Sequence, residues 1–170
     1  MRPVGHGHWL RHRTQPALGE LLAAHDGPCL IVAVGRGMHS SQVLPTSTDL
    51  AARLRAQLHV IHVVDEADYP VDPDGPGWEE RAAEELQRRE RGVRDELVSF
   101  AQPWSYHAVH GHPGAVLRDL GNVHQPLMLI VGAGAGGVGG LLERAAFGFP
   151  SSSLLHHSDR PVLVVPRAAK

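Results

Sequence analysis

The apolar positions of this chain come in short, dense runs separated by amphipathic stretches. Leu30-Ile31-Val32-Ala33-Val34 is continuous and ends at Gly35, the signature of a strand covered on both faces. Val60 to Val64, Leu127 to Val131 and Pro161-Val162-Leu163-Val164-Val165 repeat it, and Trp104 to His110 alternates as a half-buried strand. Between them the period changes to 3.6. Val43, Leu44, Leu50, Leu54 and Leu58 predict a helix capped by Ser40 or Ser41, with Pro45 in its first turn, where backbone N–H groups lack an intrahelical partner. Ala82, Leu86, Val93, Leu97 and Phe100 predict the surest helix, from Trp78 to about Ala101, with outward i,i+4 pairs Glu84/Arg88, Glu85/Arg89 and Glu90/Arg94. Pro113 to Leu120 and Ser151 to His157 predict two shorter helices. Residues 1–28 carry one amphipathic fragment, Ala17 to His25, before Asp26-Gly27-Pro28 breaks the chain.

Strands that alternate with helices call for parallel pairing through right-handed crossovers. The expected fold is therefore α/β: a five-stranded, parallel, open Rossmann-like sheet with helices on both faces. We expect one domain over residues 29–170, preceded by a partly flexible extension over 1–28. Ligands of such sheets sit beyond the carboxyl ends of the strands, which directs attention to the loops after Val34, Val64 and Val131.

One of these loops is unusual. Gly132 to Gly140 holds six glycines in nine positions, and no acidic residue lies between Gly132 and Leu142. Glycines make a poor packing element but let backbone N–H groups approach an anion closely. Ser151, Ser152 and Ser153 then open a helix whose positive end favours negative charge. A merely flexible connection remains the alternative. Gly132, Gly134 and Gly137 also satisfy G-x-G-x-x-G, yet the next strand ends at Val165 without the acidic residue a dinucleotide fold requires, and no Gly-Lys-Ser/Thr follows.

Three ordered stretches resemble the universal stress protein family: Leu30 to Val34, His62-Val63-Val64, and Leu129-Ile130-Val131-Gly132 joined to Arg160-Pro161-Val162-Leu163-Val164-Val165. Gly111-His112-Pro113-Gly114-Ala115-Val116-Leu117 resembles the family's turn and helix before strand four. The resemblance implies an adenine nucleotide such as ATP, cytoplasmic residence, and homodimers that pair their last strands, here through Val162 and Val164. It places Ala33, Val63 and Val131 against the adenine, and Gly132, Gly148 and Ser151 near the phosphates; the glycine-rich loop and the helix start add Gly134, Gly137 and Ser152 as candidates beside them. This chain departs from the family pattern of Gly, two residues, Gly, nine residues, Gly and Ser/Thr. Ala135 takes the second glycine's place, Phe149 stands where the hydroxyl belongs, and the interval from Gly132 to Gly148 is three residues longer. Gly35, followed by Arg36, stands where relatives place an aspartate that binds the ribose. Two readings follow: a weak nucleotide binder without efficient catalysis, or a dimeric interaction module that has lost its nucleotide.

Composition narrows the remaining choices. A formal net charge of −2 supplies no field for nucleic acid or an anionic membrane, and the N-terminal Arg2, His6, His8, Arg11, His12, Arg13 cluster reads as a solvated tail. No run approaches 18 apolar residues, and one cysteine, Cys29, forms no internal disulfide. Membrane spanning and export are therefore not expected. The 13 histidines include His6/His8 and His110/His112 at strand-like spacing, without the further ligands of a metal motif, and His62 reads as a packed strand histidine. Ser153, His156 and Asp159 sit too close together in sequence to surround a carbonyl carbon, so neither catalytic nor metal-binding residues are expected.

Overall fold

The structure is a computed structural model that describes residue 22 and residues 27–35, 42–64, 77–133 and 158–166. Five strands, β1 (Cys29–Val34), β2 (Gln57–Val64), β3 (Trp104–His110), β4 (Met128–Gly132) and β5 (Val162–Val165), form one sheet in the order β3-β2-β1-β4-β5. Every pairing is parallel, with Leu30 opposite Leu58 and Met128, and Leu129 opposite Val162. This is the expected five-stranded Rossmann-like sheet. Three helices are described: α1 (Val43–Leu54), α2 (Trp78–Glu96) and α3 (Pro113–His124).

Because side chains alternate along a strand, the apolar runs feed two separate cores. Leu30, Val32, Leu58, Val60 and Ile130 pack against Val43, Leu44 and Ala51 of α1 and against Val93 and Leu97 at the end of α2. Ile31, Ile61, Val63, Leu129 and Val131 pack against Val116, Leu117 and Leu120 of α3 on the opposite face. Leu22 joins that second core, so at least this residue of the N-terminal extension is buried. β2 is buried at all eight positions, as a strand flanked on both edges and covered on both faces must be.

Several expected boundaries shift. Leu58 continues the i,i+4 apolar spacing of α1, yet the helix stops at Leu54 because Arg55 turns into the left-handed region (φ 51°), and Leu58 becomes a buried β2 residue. Leu54 is exposed rather than inward. α1 begins after Gln42, which makes no side-chain cap, while Ser40 and Ser41 lie outside the described residues. α2 ends at Glu96, leaving Leu97 and Phe100 in the turns beyond it. α3 runs to His124 rather than Leu120, because Gly121 does not stop it: a Cβ there would sit 3.4 Å from Leu129, so the glycine serves close helix–sheet packing. On α2, Glu85–Arg89 (3.1 Å) and Glu90–Arg94 (2.6 Å) form as expected, but Arg88 pairs with Glu85 at i,i+3.

Candidate functional site

The chain steps outward from β1 through α1 to β2 and through α2 to β3, then returns by α3 to β4 on the other side of β1. α1 and α3 thus leave the sheet on opposite faces, and the strand order reverses between β1 and β4. A crevice opens at such a reversal, at the carboxyl ends of the strands.

Ala33, Val63 and Val131 all belong to the sheet face that carries α3, near those carboxyl ends. Val63 and Val131 are buried, and Ala33 is half-buried against the same core. The pairing of Val32 with Ile130 sets Ala33 beside Val131, and Val34 opposite His62 sets Val63 one step further out. Three of the sequence-derived positions are therefore brought onto one apolar rim.

Gly35 and Gly132 close the two strands that bound the crevice. Gly35 is exposed, its φ is not left-handed, and a Cβ built on it meets no atom within 4 Å. Space for a side chain exists there. Gly132 is different: a Cβ would lie 3.0 Å from Val43 Cγ2, so the missing side chain lets the end of β4 abut the start of α1.

That contact brings in an element the sequence reading had not singled out. The first turn of α1 carries no acidic residue, and among the described residues no side chain caps it. The positive dipole end of the helix stands beside Gly132. The signal available in the sequence was the acid-free opening Val43-Leu44-Pro45, whereas Ser40 and Ser41 pointed to a capped start.

Not every amide at this edge is available. The Ala133 N–H donates to the Val165 carbonyl at 2.8 Å, so the first amide after Gly132 serves the sheet rather than an anion. Gly134, Gly137, Gly148, Ser151 and Ser152 lie outside the described residues, as do Arg36, Ala135, Phe149, Ser153 and His156.

At the carboxyl end of β3, burial and the neighbouring His62 hold the His110 imidazole below its ordinary range. His62 is itself buried, as expected of a packed strand histidine, and both ring nitrogens are engaged. Arg89 Nη1 donates to Nε2 at 2.9 Å; since a guanidinium only donates, the ring proton belongs on Nδ1, which faces Tyr106 Oη at 3.3 Å. Among the described residues no group of three or more His, Cys, Asp or Glu side chains could hold a metal ion. None of their helices is long and apolar enough to cross a membrane.

Solved structures with this architecture are numerous. A universal stress protein in complex with cAMP superposes with a TM-score of 0.56 at 20% identity, over 82% of this chain and 98% of that one. A member of the same family from Burkholderia pseudomallei gives 0.58 at 19% identity, over 81% and 95%. The universal stress protein from Archaeoglobus fulgidus in complex with dAMP gives 0.51 at 15% identity, over 82% and 98%. No curated protein sequence matches the chain. The likenesses to solved structures speak for the fold alone; the sequence itself matches the family model of the universal stress proteins over residues 30–166, and the chain belongs to that family.

Proposed function

We propose that this protein binds an adenine nucleotide, ATP or a relative of it, weakly and without efficient turnover, in the crevice between β1 and β4. The observation that carries the reading is the convergence at that crevice of an apolar rim, Ala33, Val63 and Val131, with the acid-free start of α1 beside Gly132. A flat base suits the former and a phosphate the latter. Structural neighbours solved with cAMP and dAMP support the ligand class. Gly134, Gly137, Gly148, Ser151 and Ser152 would complete the phosphate cradle.

Phosphoryl transfer needs a positioned nucleophile and a metal-binding carboxylate set, and the described residues at this edge supply neither, so hydrolysis is expected to be slow. The protein is read as a cytoplasmic homodimer paired along β5, where Val162 and Val164 are half-buried. Calorimetry with millimolar ATP, ADP, AMP and cyclic AMP, beside melting curves, is the test: heat and a raised melting temperature with at least one nucleotide are expected. Silence in both with all four ends the reading.

The open space at Gly35 favours a second reading, in which nucleotide has been lost and the dimer is an interaction module. Mass spectrometry of nucleotide released from freshly purified protein separates the two.

A further inference from the structure

The sheet is chemically lopsided. Apart from Cys29, β1, β4 and β5 carry no ionisable side chain, whereas β2 and β3 together carry His59, His62, Ser105, Tyr106, His107 and His110. On the face that carries α3, Ser105 Oγ bridges two imidazoles, 2.7 Å from His59 Nδ1 and 2.8 Å from His107 Nε2. His59 is fully inside, paired across the ladder with Ser105. On the face that carries α2, Glu85 holds Arg89, Arg89 reaches His62, and His62 faces Tyr106. The edge strand β3 is thus tied to β2 by side-chain hydrogen bonds on both faces.

We propose that this histidine-tied β2–β3 edge is an acid-sensitive latch: proton uptake at His107 and His110 loosens β3 from β2 while the apolar half of the sheet stays closed. The proposal does not rest on nucleotide binding. The two histidines lie on opposite faces of β3, three residues apart, so one strand feels both.

The surroundings of each disfavour charge. His107 is half-buried; the described titratable and charged groups on its side are His59 of β2 and, on α3, His124 together with the Arg118–Asp119 pair (3.3 Å). Burial first and His124 second hold its imidazole below the ordinary value. On the other face stand His62 of β2 and, from α2, Arg89 with Glu85; burial first and His62 second act on His110 in the same direction. A histidine depressed in the folded state contributes stability that is present above its ordinary value near 6.5 and is lost as pH falls through its folded value. Because both groups sit on β3, the loss concentrates there. Release of β3 would bare the N–H and C=O groups of β2 that face it, an edge ready to pair with another strand.

Amide hydrogen exchange, expressed as protection factors at pH 7.5 and 5.5, tests the latch. Wild-type protein should lose more protection over residues 104–110 than over residues 30–32 and 129–131, since both histidines bind protons less readily in the folded strand. The double variant H107Q/H110Q, in which an amide keeps a polar group near the position of Nε2, should abolish that difference. Equal loss in all strands, unchanged β3 protection, or a difference that persists in the double variant overturns the proposal. If the variant does not fold, the ring C–H resonances of His107 and His110 in wild-type protein decide: titration of both below pH 6.5 upholds it, and either at or above 6.5 overturns it.

Discussion

Gly35→Asp is the most informative substitution, because among the described residues nothing occupies the space beside Gly35, where the family resemblance implies a carboxylate. The Cβ of any residue at position 35 meets no atom of the described residues within 4 Å and the backbone needs no left-handed φ, so none of them opposes the change sterically. Replacing glycine at such a position lowers the entropy of the unfolded chain, which adds about 0.4–1 kcal/mol of stability. The carboxylate would stand at the end of β1, beside the crevice, where it can accept from ribose hydroxyls. A hydrogen bond to a charged group contributes roughly 1.5–3 kcal/mol, and each 1.4 kcal/mol is a factor of ten in affinity.

The variant should therefore bind an adenine nucleotide about tenfold to a hundredfold more tightly than wild type, with its melting temperature unchanged or slightly raised. Titration calorimetry reads the affinity. Gly35→Asn, close in size but uncharged, should recover only a small part of the gain, and a deoxyribonucleotide should gain less than its ribose counterpart. A folded Gly35→Asp protein whose affinity stays at the wild-type level would refute the placement of the ribose beside β1.

Three other expectations follow from local geometry. Gly111 has φ 146° and a Cβ there would meet Val116 Cγ2 at 2.9 Å, so Gly111→Ala should cost about 1–3 kcal/mol in strain and displaced packing, read as a lower urea midpoint. Gln125 holds a left-handed conformation at φ 48° to end α3, and Gln125→Gly should stabilise by roughly 0.5–1 kcal/mol, read as a higher melting temperature. Urea unfolding from pH 7.5 down to pH 5 should show stability falling below about pH 6.5, since His107 and His110 bind protons less readily folded than unfolded; a flat profile would contradict their half-buried environments beside His124 and His62.

The sequence disclosed the sheet well because three of its strands are continuous apolar runs and β2 is one interrupted only by buried polar residues, a pattern that burial on both faces imposes and that little else produces. It disclosed helix ends poorly. Arg55 and Gln125 adopt left-handed conformations usually signalled by glycine, so Leu58 read as helix and α3 read short, while the real glycine at 121 was a packing residue inside the helix. The site divided in the same way. Ala33, Val63 and Val131 were pointed out by the family resemblance and lie together on one rim, but the acid-free start of α1 needed the contact between Gly132 and Val43, which joins residues far apart in the chain. The bridge from His59 through Ser105 to His107 spans 46 residues on one side, and only the register of β2 against β3 brings it together.

That register has a consequence for how the two halves of the molecule act on one another. The crevice lies between β1 and β4, whose described side chains are apolar apart from Cys29, while the described titratable groups of the sheet lie one and two strands away on β2 and β3. Among the described residues, acid acts on the crevice through β2, which supplies Val63 to the rim and the Val64 carbonyl that accepts from Gly111 N–H at 3.4 Å. Loosening β3 would release that bond and the backing of Val63 by Val109, its partner in the ladder. A nucleotide resting on Val63 would therefore oppose acid release of β3, and by linkage β3 release would weaken the nucleotide by the same factor. Adding saturating nucleotide at pH 5.5 should restore exchange protection over residues 104–110, an effect that a ligand confined to β1 and β4 would not produce.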